Sequence, residues 1–392
     1  MAWKERTVEH MREEFVRRVL AQEKSKAALC REYGISRPTG DKWLERFQNK
    51  EPLRDQSRAP KTIPNRTSQE MEDAIVALRR KYPAIGAVKL RRMMKNQGYS
   101  NLPCARTFNN IFHRHNLIEK EASQAATPYQ RFERAAPNEM WQADFKGHFA
   151  MKDGFRCHPL NILDDYTRFN LCVEALLSET YGAVQPVLER LFREYGRPLS
   201  LLCDNGTPWG TSQSVGFTHL EVWLMELDIL TLHGRPLHPQ TQGKEERFNR
   251  SFTRECLKQN EFLNISQSQD CFNRYRSFYN NERPHYALDM AVPASKYYPS
   301  SRLMPEKIEP WEYGPEYTLH KVKSSGYITY RGQGYYLSEA LGGKTIAIRE
   351  SRLPGQVTLV FRNFKIARID PNNRVFTLRK AYRLDNDPRQ NV

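Results

Sequence analysis

The chain has 392 residues with 61 Lys and Arg against 45 Asp and Glu, a formal net charge of +16, so several domains and an anionic partner are expected. No apolar run approaches the roughly 20 residues of a membrane span, and the start Met1-Ala2-Trp3-Lys4 lacks the apolar core of a secretory signal, which predicts a cytoplasmic protein without a membrane partner. The seven cysteines form no Cys-x-x-Cys pair and no Cys/His cluster at zinc spacing, so reduced structural thiols are expected in place of a zinc centre.

Residues 1–130 hold 26 Lys and Arg against 15 Asp and Glu, which places the main grip on DNA in the amino-terminal third. Val8, Met11, Phe15 and Val19 recur at helical spacing, a second helical stretch runs from Lys26 to Tyr33, and Gly34 makes a tight turn. Ser36 then caps a third helix with Trp43, Leu44 and Phe47 on one face. This is the order of a helix-turn-helix domain over 1–50. Its outward Arg37, Asp41, Lys42 and Arg46 would meet a major groove, although Gly40 costs that helix about 1 kcal/mol against alanine.

Pro52, Pro60 and Pro64 mark a linker over 51–66. A second helical unit, helix-turn-helix-like, is expected over 67–120, opening on a capping box of Thr67 and Glu70. Arg91, Arg92 and Lys95 lie beside its apolar face. Pro103 begins another recognition-type helix through Arg106 and Arg114; for all of these a solvated helix face is an equally ready reading. A second linker spans 121–137.

From 138 the pattern changes to that of an α/β layer structure. Trp141, Ala143 and Phe145 alternate with Gln142, Asp144 and Lys146, followed by strands at Pro159–Leu163, Phe169–Val173 and Leu199–Cys203 and a helix over Tyr181–Tyr195. Asp144 lies mid-strand. Asp204 ends a strand before the turn Asn205-Gly206, and strand ends are where α/β sheets place ligands. A third carboxylate comes from the helix around Glu245 and Glu246. Three converging carboxylates suit hard cations such as Mg²⁺, which prefer oxygen ligands and bridge phosphates. Phe248, Phe252 and Cys256 mark the packed face of that helix; Glu245 falls on it and Glu246 about 100° away, so periodicity leaves both open.

The passages Trp141-Gln142-Ala143-Asp144, Leu163-Asp164-Asp165-Tyr166-Thr167-Arg168, Asp204-Asn205-Gly206, His238 to Arg247 and Tyr279-Asn280-Asn281-Glu282-Arg283-Pro284-His285 resemble the DDE transposase and retroviral-type integrase superfamily. Within it they look most like the bacterial insertion-sequence transposases of the IS481 type, neighbours of the IS3 group. The resemblance covers about residues 5 to 300. It implies an RNase H-like catalytic core over 138–300, with Asp144, Asp204 and Glu246 as the catalytic ligands of two Mg²⁺ or Mn²⁺ ions. Glu246 takes the family's glutamate position, and Glu245 stands where the family has an apolar residue. Asp164 and Asp165 are then structural.

Two features depart from the pattern. The 41 residues between Asp204 and Glu246 exceed the usual spacing, with the excess in Gly210–Thr218. Thr253 replaces a frequent basic residue, leaving Arg250 or Arg254 to meet the DNA backbone, while His238 and Lys244 are candidates for substrate phosphate. Alternating segments over 310–385 predict a small carboxy-terminal β-barrel, with a hairpin at Gly332-Gln333-Gly334. The implied function is insertion-sequence transposition. Terminal inverted repeats are bound, strands are cleaved and 3′-hydroxyls are joined to target DNA by a homo-oligomer, at least a dimer, on the bacterial chromosome. A transposase-derived DNA-binding regulator and an RNase H-like nuclease are the alternatives.

Overall fold

The computed structural model describes residues 7–55, 66–118, 134–210, 216–234, 243–350, 356–370 and 375–384. The chain divides into two compact units, 1–67 and 68–392.

The first unit holds α1 (Val8–Leu20), α2 (Lys26–Glu32) and α3 (Arg37–Gln48), whose N-caps Thr7, Ser25 and Ser36 each accept from a backbone N–H three residues on. Gly34, at φ +64°, supplies the left-handed residue between α2 and α3. Phe15, Val16, Leu29, Cys30 and Trp43 form the core. The glycine that weakened α3 in the sequence is what closes this unit: a Cβ on Gly40 would lie 2.8 Å from the Cys30 sulfur and 2.9 Å from the Phe15 ring. The expected linker also starts later than residue 51, because Leu53 is buried and Arg12 donates to the Leu53 carbonyl at 2.8 Å and to Asp55 at 3.0 Å. Gly40→Ala should therefore destabilise the unit by roughly 1–3 kcal/mol through overpacking, against the gain in helix propensity. Faster amide exchange across α1–α3 in the intact chain would report this, and unchanged exchange would mean that the helices re-space freely.

In the second unit, α4 (Gln69–Lys81), α5 (Ala87–Asn96) and α6 (Ala105–Arg114) pack Ile75, Leu90, Met94, Phe108 and Phe112 together. The cap of α4 is Ser68, which accepts from the Met71 N–H, and not the expected Thr67 and Glu70 box; Thr67 stands one residue too early. Arg114 serves the fold. It donates to the buried Glu72 at 2.6 Å and, with His115 at 2.9 Å, holds that carboxyl below its usual range.

The central sheet comprises β1 (Met140–Phe145), β2 (Phe149–Ala150), β3 (Arg156–Asp164), β4 (Asn170–Leu176), β5 (Ser200–Cys203) and β6 (Leu230–His233) in the order β2-β3-β1-β5-β6, with β4 also paired to β3. β3 pairs antiparallel with both β1 and β4, β5 runs parallel to β1 and β6 parallel to β5, the expected RNase H-like arrangement. Helices α7 (Tyr181–Tyr195) and α8 (His219–Glu226) share a core with Trp141, Ala143 and Leu201. Helices α9 (Gly243–Glu255) and α10 (Ile265–Asn281) pack Phe248, Phe252, Phe272 and Tyr275 against Leu163 and Val173. Strand alternation thus sends Trp141 and Ala143 toward α7, and Gln142 and Asp144 toward α9.

The carboxy-terminal part corrects an expectation. Strands β7 (Thr318–Lys321), β10 (Thr345–Glu350), β11 (Val357–Phe361), β12 (Phe364–Asp370) and β13 (Val375–Arg383) form an antiparallel sheet in the order β13-β12-β11-β10-β7, beside a hairpin of β8 (Tyr327–Tyr330) and β9 (Gln333–Tyr336). Among the described residues β13 and β7 do not pair, so no barrel closes. The reason is α8: its Val222 and Met225 join Leu337, Ile346, Leu359 and Phe364, while Leu220 and Leu224 face the central core. A helix with apolar residues on two sides covers the inner face that a barrel would bury by curling. The hairpin turns at Arg331 and Gly332, at φ 50° and 77°, one residue earlier than expected.

Candidate active site

Gln142 pairs with Leu202 across parallel β1 and β5, so continuing the same register sets Asp144 level with Asp204 where the two strands end. Asp144 is half-buried and Asp204 exposed at the strand tip. Burial, then the charge of Asp204, pushes the Asp144 carboxyl up to about 6, and partial burial raises Asp204 as well. The Gly206 N–H donates to Asp204 Oδ1 at 3.0 Å, the service expected of the Asn205-Gly206 turn.

Two residues that sequence reasoning passed over orient Asp144. Asn249 donates from Nδ2 to Asp144 Oδ2 at 2.7 Å, and Asn161, opposite Asp144 on β3, donates to Asn249 Oδ1 at 2.6 Å. The available signal was the helix itself, since Asn249 follows Glu245 and Glu246 by one turn. His233 ties β6 to the same corner, with Nδ1 2.8 Å from the Asp204 carbonyl and Nε2 2.9 Å from Glu221.

The glutamates differ from expectation. Glu246 is exposed and paired with Arg250 at 3.0 Å, one turn along the helix, and does not face the aspartates in this conformation. Glu245 is 1% exposed, neither of its oxygens has a hydrogen-bond partner, and burial, then the charges of Asp144 and Asp165, hold its pKa well above the usual carboxylate range. Among the described residues no three His, Cys, Asp or Glu side chains stand close enough to hold a metal ion. The donor set nevertheless fits a divalent cation: level aspartates that repel one another, beside a buried carboxylate without a partner, are relieved by positive charge.

Asp144 binds its proton more tightly in the folded than in the unfolded chain, so its ionisation subtracts stability as pH rises from its ordinary 3.8 to about 6. Urea midpoints of the metal-free protein should therefore fall over that window relative to Asp144→Asn. Parallel pH profiles of the two proteins would contradict the raised pKa.

The basic candidates separate into free and engaged groups. Arg37, Lys95 and Arg106 are exposed on α3, α5 and α6, and Lys42 is exposed with its ammonium 4.9 Å from the Trp43 ring. Arg46 turns back, donating to the Arg54 carbonyl at 3.2 Å and lying 5.1 Å from the Trp43 ring. Arg91 donates to the Pro103 carbonyl at 2.7 Å, and Arg92 is half-buried. Lys244 contacts Asp165, and Arg250 contacts Glu246. Thr253 donates its hydroxyl to the Asn249 carbonyl at 2.7 Å. His238 and part of Gly210–Thr218 lie outside the described residues.

Family models for an integrase core domain match residues 134–239 and 227–293, one for a helix-turn-helix domain matches 11–61, and one for the IS481 family transposase C-terminal domain matches 318–375. The chain thus combines an integrase core domain with a helix-turn-helix domain, and its carboxy-terminal part resembles that of the IS481 family transposases. A 31.7 kDa protein of insertion element IS407 from Burkholderia multivorans is 30% identical to this chain over 180 residues, 45% of the chain and 59% of the relative. A 39.2 kDa protein of IS476 from Xanthomonas euvesicatoria is 29% identical over 160 residues, 40% and 44% respectively, so the matches span about half of each relative. The HTLV-2 integrase catalytic core domain in complex with magnesium is 16% identical, covering 41% of this chain and 97% of that chain, at a TM-score of 0.31 that adds nothing to the fold. No helix among the described residues is long and apolar enough to cross a membrane.

Proposed function

We propose that this chain is a transposase that binds the terminal inverted repeats of its own element, cleaves to expose 3′-hydroxyls, and joins them to target DNA by transesterification. The observation that carries the reading is the level pair Asp144 and Asp204 on adjacent strands, Asp144 oriented by Asn249 and Asp204 open at the strand end. With these two, Glu246 would hold two Mg²⁺ or Mn²⁺ ions. It belongs to the turn before Asn249, and its exposed side chain gives up only a surface pair with Arg250, worth about 0.3–0.5 kcal/mol. Glu245 is the rival, closer electrostatically to Asp144 but closed to solvent. When bound, such cations activate the attacking oxygen and stabilise the departing one.

The residues of the chain supply orientation. Asn249 holds one Asp144 oxygen, leaving the other for a ligand, and Gly206 does the same for Asp204. Arg37, Lys42, Lys95 and Arg106 are the groups placed to meet DNA, with Arg46, Arg91, Arg92 and Arg250 contributing where their present contacts yield. Joining needs no ATP, because one phosphodiester replaces another. Two ends must be held at once, so at least a dimer acts, in the cytoplasm on the chromosome.

The test is incubation with duplexes carrying the inverted repeats read from both flanks of the gene, with Mg²⁺ or Mn²⁺. Strands cut at the repeat and joined to a second duplex are expected. Binding of the ends without cutting would leave a DNA-binding regulator, and cutting without joined product would leave a nuclease.

A further inference from the structure

The turn Leu163 to Arg168 takes no part in the chemistry above, yet it touches both elements that carry it. Asp164 closes the turn, accepting from the Thr167 N–H at 2.8 Å, the Thr167 hydroxyl at 2.6 Å and the Asn138 N–H at 2.7 Å. Asp165 points the other way. Its Oδ1 accepts from Gln142 Nε2 and from Lys244 Nζ, each at 2.5 Å, its Oδ2 accepts from the Arg134 N–H at 2.9 Å, and its carbonyl lies 3.3 Å from Lys244 Nζ. Gln142 precedes Asp144 by two residues on the same face of β1, and Lys244 immediately precedes the two glutamates of α9. One buried carboxylate therefore joins the strand of the first metal-ligand candidate to the helix of the third.

We infer that Lys244 is a positioning residue, and that its ion pair with Asp165 sets the phase of the first turn of α9 and so which glutamate is presented toward Asp144. The inference rests on the proposed transposase reading. Its physical basis is that the Asp165 side chain is 0% and that of Lys244 16% exposed, so withdrawing the ammonium toward DNA would strand a buried carboxylate. Each residue advances the helix by about 100°, so a slip of one position would exchange Glu245 and Glu246. Lys244 is then held by the fold in place of substrate phosphate.

The test compares full-length wild type with Lys244→Met, Lys244→Arg and Asp165→Asn in three measurements. Without DNA, amide exchange in 247–255 should rise about tenfold or more in Lys244→Met and Asp165→Asn, and less in Lys244→Arg. On a duplex carrying the element end, strand-transfer turnover should fall roughly ten- to a hundredfold, as a misplaced catalytic group implies, without a change in half-saturating DNA. The slope of log affinity against log salt should stay that of wild type. A slope shallower by about one unit in Lys244→Met, with unaltered exchange, would make Lys244 a phosphate contact and overturn the inference. If wild type joins no DNA, the transposase reading fails while exchange still judges the clamp: faster exchange in Lys244→Met upholds the ion pair, and wild-type exchange sinks it. Lys244→Met carries the decision if Asp165→Asn does not fold.

Discussion

Asp144→Asn and Asp204→Asn are each expected to reduce strand cleavage and joining by at least about 10³-fold, which corresponds to roughly 4 kcal/mol of transition-state stabilisation. The replacements keep shape and volume, and the Asn249 donor can still find an oxygen at position 144. They remove the charge that a metal needs. In the metal-free protein the same Asp144 change should leave stability unchanged or higher at neutral pH, because burial and Asp204 already disfavour the ionised carboxyl. Loss of activity together with a maintained or raised melting temperature is therefore the signature of a site kept at the expense of the fold. Retained cleavage in either variant would remove the acidic pair from the mechanism. Glu246→Gln should be as damaging as the Asp changes, with Glu245→Gln largely active. The reverse pattern would move the third ligand to the buried position, where Glu245 already faces Asp144.

The largest stability effect is expected where the motif around Arg283 meets α9. Arg283 donates from Nε and Nη2 to the two oxygens of Glu255, each at 2.7 Å, and from Nη2 to the Ser251 hydroxyl at 3.0 Å. Its side chain is 7% exposed and that of Glu255 9%. Arg283→Met leaves Glu255 without its bidentate partner and should destabilise the core by about 3–5 kcal/mol, whereas Arg283→Met with Glu255→Met should cost less than the single change. Urea denaturation with a double-mutant cycle measures both, and additive losses would deny the pair. His285 belongs to the same cluster, its imidazole lowered to about 2 by burial first and then by the Arg283 charge. The folded chain binds fewer protons there than the unfolded one, so stability should fall as pH drops below about 6.5, the ordinary value of the imidazole. This slope opposes that of Asp144. Removing His285 by His285→Gln should flatten the acid limb.

Much of this was legible in residue order. Period 3.6 and the hydroxyl cap Ser36 marked the first helices, period 2 marked β1, and the Asn205-Gly206 turn marked the end of β5, because backbone geometry alone imposes these spacings. Both aspartates could be placed on strand positions for the same reason. The motif Tyr279 to His285 stood out as a pattern without a role. Only the fold shows Asn280 exchanging hydrogen bonds with Asn170 on β4 and Arg283 reaching back to α9.

The sequence by itself determined the first helices, the basic amino-terminal third, an aspartate within a strand at 144 and another at a strand end at 204, since each follows from local geometry or composition. Tertiary structure decided the contacts that cross the chain. Gly40 is needed because Phe15 of α1 and Cys30 of α2 fill the space a Cβ on α3 would take, the carboxy-terminal sheet stays open because α8 covers it, and Lys244 finds Asp165 rather than solvent. Periodicity reports which face of an element is apolar. It is silent about which element fills the space opposite, and that partner determines whether a charge is spent on the fold or left for DNA.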